Sequence, residues 1–243
     1  ERVQWGELAV ELLCGEDGDT AEAAWHMVYD VGWTHFQQGH PDLAKTAFQE
    51  GLELASVTGD LRVRGVALRN LAQVSREYDR AFDTAQGLYQ EALDIFQQIG
   101  DARWEAICKG GLGVLALIRG DLAQAKQNLS DAKTINEQLG EIEGLVSNIS
   151  DLAQLALAEE RLGQAERLLG RSRRLAKEHE LPEEEAYAKV WLARLRERQG
   201  QIEDACDLAH QAHEIYQRVG LQTPFVAHVE RLKARLQAVR EYE

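Results

Sequence analysis

Proline is scarce in this sequence, with three in 243 residues, so little interrupts long helices, and alternating apolar and polar runs that would mark strands are missing. Cysteine is also sparse. Cys14, Cys108 and Cys206 are odd in number and far apart, which excludes a disulfide framework and predicts free thiols in a reducing compartment. Basic residues are outnumbered: 27 Lys and Arg face 41 Asp and Glu, giving a net charge of −14. That balance argues against general nucleic-acid binding, which needs clustered cations, and it makes Arg171, Arg173 and Arg174, or Arg231, Lys233 and Arg235, read as solvated helix faces. No apolar run is long enough to span a bilayer and no signal-peptide pattern opens the chain, so the expectation is a cytoplasmic protein without a membrane partner. Because residue 1 is Glu, the sequence also reads as a piece of something longer.

What is present is Ala, Leu, Glu, Gln and Arg, a helix-favouring mixture, arranged with a period near forty. Ala44, Ala85, Ala125, Ala165 and Ala205 form one column, spaced 41, 40, 40 and 40 residues. Seven residues on, Gly51, Ala92, Ala132, Ser172 and Ala212 form another, which predicts close helix crossings. A large residue followed by a tiny one precedes each alanine: Val31-Gly32, Leu71-Ala72, Leu112-Gly113, Leu152-Ala153 and Leu192-Ala193. The spacing of this column puts the extra residue of the second unit between its helices, within Tyr78 to Thr84, with both helices regular. Gly59, Gly100, Gly140 and Gly220 close the units as helix stops, with Glu180 as the exception.

These columns resemble the tetratricopeptide repeat (TPR) in a lengthened form of about forty residues. In the clearest unit the small and large positions fall on Leu112, Gly113, Ala116, Gly120, Leu122, Ala125, Leu129 and Ala132. The early aromatic of the family pattern is missing from most units, and proline after the second helix occurs once, at Pro182. The resemblance implies an all-α, right-handed α-solenoid of antiparallel helix pairs forming a single array over 1–243. Its repeats are expected at 20–59, 60–100, 101–140, 141–180 and 181–220. Residues 1–19 read as a partial preceding unit, with a helix over 3–14 and an acidic turn from Gly15 to Asp19, and 221–243 as a capping or linker helix.

Catalytic motifs find little support. Gly110-Gly111-Leu112-Gly113 lacks the preceding strand and the Gly-Lys-Ser/Thr ending of a phosphate loop. Cys206, His210 and His213, at i, i+4 and i+7, could share one helix face in a metal-compatible way, but the repeat frame puts Cys206 and His210 in outer-surface columns. No nucleophile has a base placed by sequence. The expectation is therefore no enzyme, no metal and no cofactor.

In TPR folds the first helices of successive units line a concave side where ligands lie, so the resemblance nominates residues there. The first unit offers an aromatic wall of Tyr29, Trp33 and Phe36. The second offers Arg69, Asn70, Gln73 and Arg76, able to hold a carboxylate or a peptide backbone. In the third, Gly110 and Gly111 leave room for a ligand main chain, beside Val114. Asp151 and Gln154 follow, then Tyr187, Trp191 and Arg194. Trp33 and Trp191 read equally as groove residues or as packing between helices. Only Asn70 matches the carboxylate clamp of TPR chaperone adaptors, so that binding mode is not expected.

The resemblance thus implies a non-enzymatic module that recognises a protein or peptide segment, as the sensor or scaffold arm of a larger signalling or regulatory protein, with an intramolecular contact to an absent effector domain among its partners. The alternative is a small-molecule or anion sensor of a bacterial regulator, built on the aromatic wall with Arg69 and Arg76.

Overall fold

A computed structural model describes residues 20–242. The expected helix over 3–14 and the acidic turn from Gly15 to Asp19 lie outside the described residues. The chain divides into two compact units, one up to Leu115 and one from Ala116 onward. Each is built of helices joined by short turns.

In the first unit, α1 comprises Thr20–His26, a π-helical turn Met27–Gly32 and Trp33–Gln37. Helix α2 spans Pro41–Thr58, α3 spans Leu61–Val74 and runs on through a π-helical turn Ser75–Asp79, and α4 spans Phe82–Ile99. Helix α5, Ala102–Arg119, carries the division between the units. The second unit continues with α6 Leu122–Leu139, α7 Ile142–Ala158, α8 Leu162–Glu178, α9 Pro182–Arg198, α10 Ile202–Val219 and α11 Pro224–Tyr242. Consecutive helices pack as neighbours within each unit, and α7 also packs on α9. No strand occurs among the described residues.

Local chemistry sets the helix ends. Pro41 and Pro182 occupy first turns, where a missing N–H costs nothing. The side chains of Asp60 and Asp121 accept from the Val63 and Gln124 amides, both at 3.0 Å. Each second helix stops on a left-handed residue: Gly59, Gly100, Gly140, Glu180 and Gly220. The first helices have a matching column the sequence did not advertise, Gly39, Arg80, Gly120, Glu160 and Gly200, all with φ between 55° and 79°.

Measured from the large residue of each unit, that stop comes after eight residues at Gly39, Gly120, Glu160 and Gly200 but after nine at Arg80. The extra residue therefore lies inside α3, where the π turn Ser75–Asp79 takes it up. This corrects the expectation of regular helices with a lengthened turn. A second π turn acts likewise in α1. Six residues before the large column stand the buried Gly65, Ala106, Val146 and Ala186, but in α1 the equivalent Trp25 is 37% exposed and Ala24 is buried instead.

The small columns are the contact points. Ala44, Ala85, Ala125, Ala165 and Ala205 are fully buried. At Gly51 an added Cβ would stand 2.4 Å from Val28 Cγ2, and at Gly32 it would stand 2.5 Å from the Phe48 ring. Ser172, the polar member of its column, is fully buried and satisfied: it shares a 2.7 Å hydrogen bond with Ser150 and donates to the Val146 carbonyl at 3.1 Å. Between these crossings sit Phe48, Phe96 and Tyr89 in the first unit and Leu129, Ile149, Leu169 and Leu195 in the second, each removed from water and contributing roughly 1.5–3 kcal/mol of transfer free energy.

Candidate functional site

In the first unit the nominated side chains of α1 and α3 meet. Trp33 stacks on Phe36 at 5.1 Å between ring centroids, and Phe36 meets the edge of Tyr78, whose hydroxyl donates to the Phe36 carbonyl at 3.1 Å. The Arg69 guanidinium lies 5.5 Å from the Trp33 ring centroid, a cation–π distance, and its Nη1 donates to Asn70 Oδ1 at 2.9 Å. Glu77 receives two donors, Arg76 Nη2 at 2.7 Å and Gln73 Nε2 at 3.0 Å. Tyr29 stacks on Trp25 and meets Trp104 edge-on.

Several polar atoms of this cluster are shielded from water without a protein partner. They are the Tyr29 hydroxyl, Arg69 Nε and Gln73 Oε1. Burial pushes the Tyr29 hydroxyl up to about 12 despite the nearby Arg62 and Arg69, so it stays a proton donor at neutral pH. The cluster thus presents two donors and an acceptor beside a stacked aromatic face.

Not every nominated residue stands open. Phe36 and Asn70 are each 3% exposed, and Asn70 acts by holding Arg69. Glu77 was overlooked, because counting forward from Leu71 gives Arg76. Counting back three from the left-handed stop gives Phe36, Glu77, Leu117, Leu157 and Glu197, so the π turn hands that column to Glu77. The irregular spacing of 41 was the signal that could have found it.

On α5, Gly110 is buried and Val114 half-buried. The expectation that Gly111 leaves room for a ligand main chain is overturned: an added Cβ there would stand 2.6 Å from the ring of Tyr89, a side chain 1% exposed. Gly111 admits a neighbour from α4, not a guest.

In the second unit, Asp151 is buried and accepts from Tyr187 at 2.9 Å and Gln154 at 2.8 Å. Burial, then the Asp151 charge, holds the Tyr187 hydroxyl well above the ordinary tyrosine range, so it remains a donor. Trp191 meets Tyr187 edge-on, while Arg194 donates to His228 Nε2 at 2.6 Å from α9 to α11. Burial and the Arg194 charge lower the His228 pKa, consistent with a neutral acceptor. His228 was missed, since its helix lies beyond the repeat frame.

The outer-surface reading of Cys206 fails. Cys206 and His213 are 4% and 5% exposed, packed under Val226 and Val229 of α11 or beside Glu230, whereas His210 points outward. The last helix covers Cys206, whose column is exposed at Gln86 and Lys126 in earlier units. Among the described residues no group of three or more His, Cys, Asp or Glu side chains is placed to hold a metal, and no helix is long and apolar enough to cross a membrane.

Comparisons with known proteins agree with this architecture. No curated protein matches the sequence. Among solved structures, a Rap protein complexed with competence and sporulation factor aligns at a TM-score of 0.70 and 17% identity over 99% of this chain and 69% of that one. BtubC (BKLC) from P. vanneervenii aligns at 0.66 and 16% identity, over 90% and 91% of the two chains. Aspartyl phosphate phosphatase F from Bacillus subtilis aligns at 0.65 and 12% identity over 89% of this chain, which spans 56% of that protein. Such low identities speak for the fold alone. The tetratricopeptide repeat family matches residues 63–138, which run from α3 to the end of α6. Tetratricopeptide repeats are therefore identified over 63–138, and likeness of fold to solved helical structures extends over nearly the whole chain.

Proposed function

We propose that the first-helix face of the first unit binds an extended protein or peptide segment, and that the chain serves as the recognition arm of a larger regulatory protein. We read the array as five repeats at 20–59, 60–100, 101–140, 141–180 and 181–220, with α11 as its cap. The observation that carries the reading is the shielded, unpartnered trio of Tyr29 hydroxyl, Arg69 Nε and Gln73 Oε1 beside the Trp33–Phe36 stack. A buried polar group left unmet costs about 1–3 kcal/mol, so a guest that displaces the covering side chains and supplies the complement recovers up to that much at each. A peptide main chain offers carbonyl acceptors for Tyr29 and Arg69 and an amide donor for Gln73, with an apolar side chain for the ring face. A small anion fits less well, because Arg76 is already neutralised by Glu77. The Rap protein in complex with its factor supports a binding role by analogy of fold.

The test is a displayed library of short peptides selected on the 243-residue chain, with the recovered sequences measured by fluorescence anisotropy. Arg69→Met should weaken capture about tenfold or more, equal to a loss of about 1.4 kcal/mol. Selected peptides whose affinity is unchanged by both Arg69→Met and Trp33→Ala remove this face from consideration.

A further inference from the structure

The second unit carries a different surface that the first-helix reading leaves unused. Helix α8 is basic in an acidic chain, with five cations against two carboxylates between Leu162 and Glu178, while the whole chain has a net charge of −14. Gly170, Arg173, Arg174 and Lys177 recur at i, i+3, i+4 and i+7, one stripe of that helix. The stripe lines an open cleft of about 810 Å³ together with Gln211 of α10 and Glu185 and Lys189 of α9.

Three features make this cleft unlike an ordinary solvated face. Arg173, Arg174 and Lys177 are exposed, and none has an ion-pair or hydrogen-bond partner among the described residues, whereas Arg171 beside them is held by Glu137 at 3.4 Å. Lys189, with a side chain only 12% exposed, brings a fourth cation to the lining, held at 3.0 Å by Glu185. Gly170 stands inside the helix with no atom within 4 Å of where its Cβ would be. Glycine there weakens the helix relative to alanine and answers to no packing contact, so what it provides is open space in the wall.

We propose that this cleft between α8, α9 and α10 is a docking groove for a short acidic peptide segment of a partner protein. Carboxylates spaced along such a segment reach Arg173, Arg174 and Lys177 from the open side, and its main chain lies over Gly170. Arginine pairs bind carboxylates through two parallel N–H donors, which fixes the segment's direction as well as its charge. Of the two carboxylates in the same lining, Glu185 is already engaged by Lys189, so the cations outnumber the free acids there. A long nucleic-acid backbone carries its phosphates beyond the cleft, over a chain whose net charge of −14 repels extended polyanions.

The experiment uses the 243-residue chain and fluorescein-labelled hexaglutamate, followed by anisotropy. Saturable binding is expected, falling as salt is raised. Arg173→Glu with Lys177→Glu should weaken it about tenfold or more. Gly170→Leu fills the open wall without altering any charge and should also weaken it several-fold, whereas Arg64→Met, which removes a first-unit cation paired with Glu91, should leave it unchanged. The α8 positions are exposed, and circular dichroism melts of each variant check that the fold is kept. Absence of saturable binding overturns the proposal. So does hexaglutamate binding that ignores Gly170→Leu, which is diffuse surface attraction, or a labelled hexathymidine oligonucleotide that binds more tightly than hexaglutamate.

Discussion

At the scale of single residues, the glycines of this chain divide by what fills the space beside them. Gly111 faces the Tyr89 ring at 2.6 Å and Gly170 faces nothing. Gly111→Ala forces a methyl group into a ring that is sealed in the core and should cost about 1–3 kcal/mol in urea denaturation. Gly170→Ala should instead stabilise by up to about 1 kcal/mol through helix propensity. The contrast explains why the sequence misled at Gly110-Gly111: it shows a missing side chain but not whether the vacancy is filled from inside. Glu184, on the first turn of α9, titrates oddly for a related reason. Burial, then the charges of Glu143 and Glu183, raises its carboxyl to about 7, against an opposing backbone hydrogen bond. The folded protein therefore holds that proton more tightly than the unfolded chain does, and stability should fall as pH rises from about 4.5 through 7. Glu184→Gln should flatten that fall, raising Tm at pH 8 while leaving it nearly unchanged at pH 4.5.

At the scale of the helix, the stops carry the order. Columns of alanine and glycine made the helix pairs legible, because packing demands the same small residue at each crossing and a left-handed stop demands the same absence of Cβ. Where the stop residue is not glycine the sequence goes quiet, as at Arg80, Glu160 and Glu180, yet φ is 55–56° at all three. Since a side chain in that region is strained, Glu180→Gly should stabilise by about 0.5–1 kcal/mol, measured as a shift of the denaturation midpoint without change in slope. The π turns were not legible. Ser75 to Asp79 contains no proline, glycine or other breaker, and only the spacing of 41 betrays an added residue. That is why Glu77 escaped notice while Arg69 and Gln73, upstream of the turn, fell where the repeat frame put them.

At the scale of the whole chain, helical arrays hold together through neighbour-to-neighbour interfaces, so each helix leans on the next. Helix α11 packs Val226, Val229, Leu232 and Leu236 against the α9–α10 pair. The sequence supplied that apolar stripe but not the surface it packs on, because a stripe does not say where it lies. Deleting residues 221–243 should uncover Cys206, Ala209 and Tyr216, lower Tm by several degrees and raise dye binding to exposed apolar surface. An unchanged melt would mean that α11 contributes nothing to the second unit.

The π turn in α3 also bears on how such a chain can change over generations. A one-codon insertion in an ordinary helix would spin everything downstream by about 100° and pull the buried side out of contact. Here the surplus is swallowed within a few residues, so Ala85 and Tyr89 still find their sockets while Glu77 and Tyr78 arrive half-buried, the one between Arg76 and Gln73 and the other against Phe36. Small gains or losses of length can thus rewrite what the surface reads without disturbing the stack beneath it.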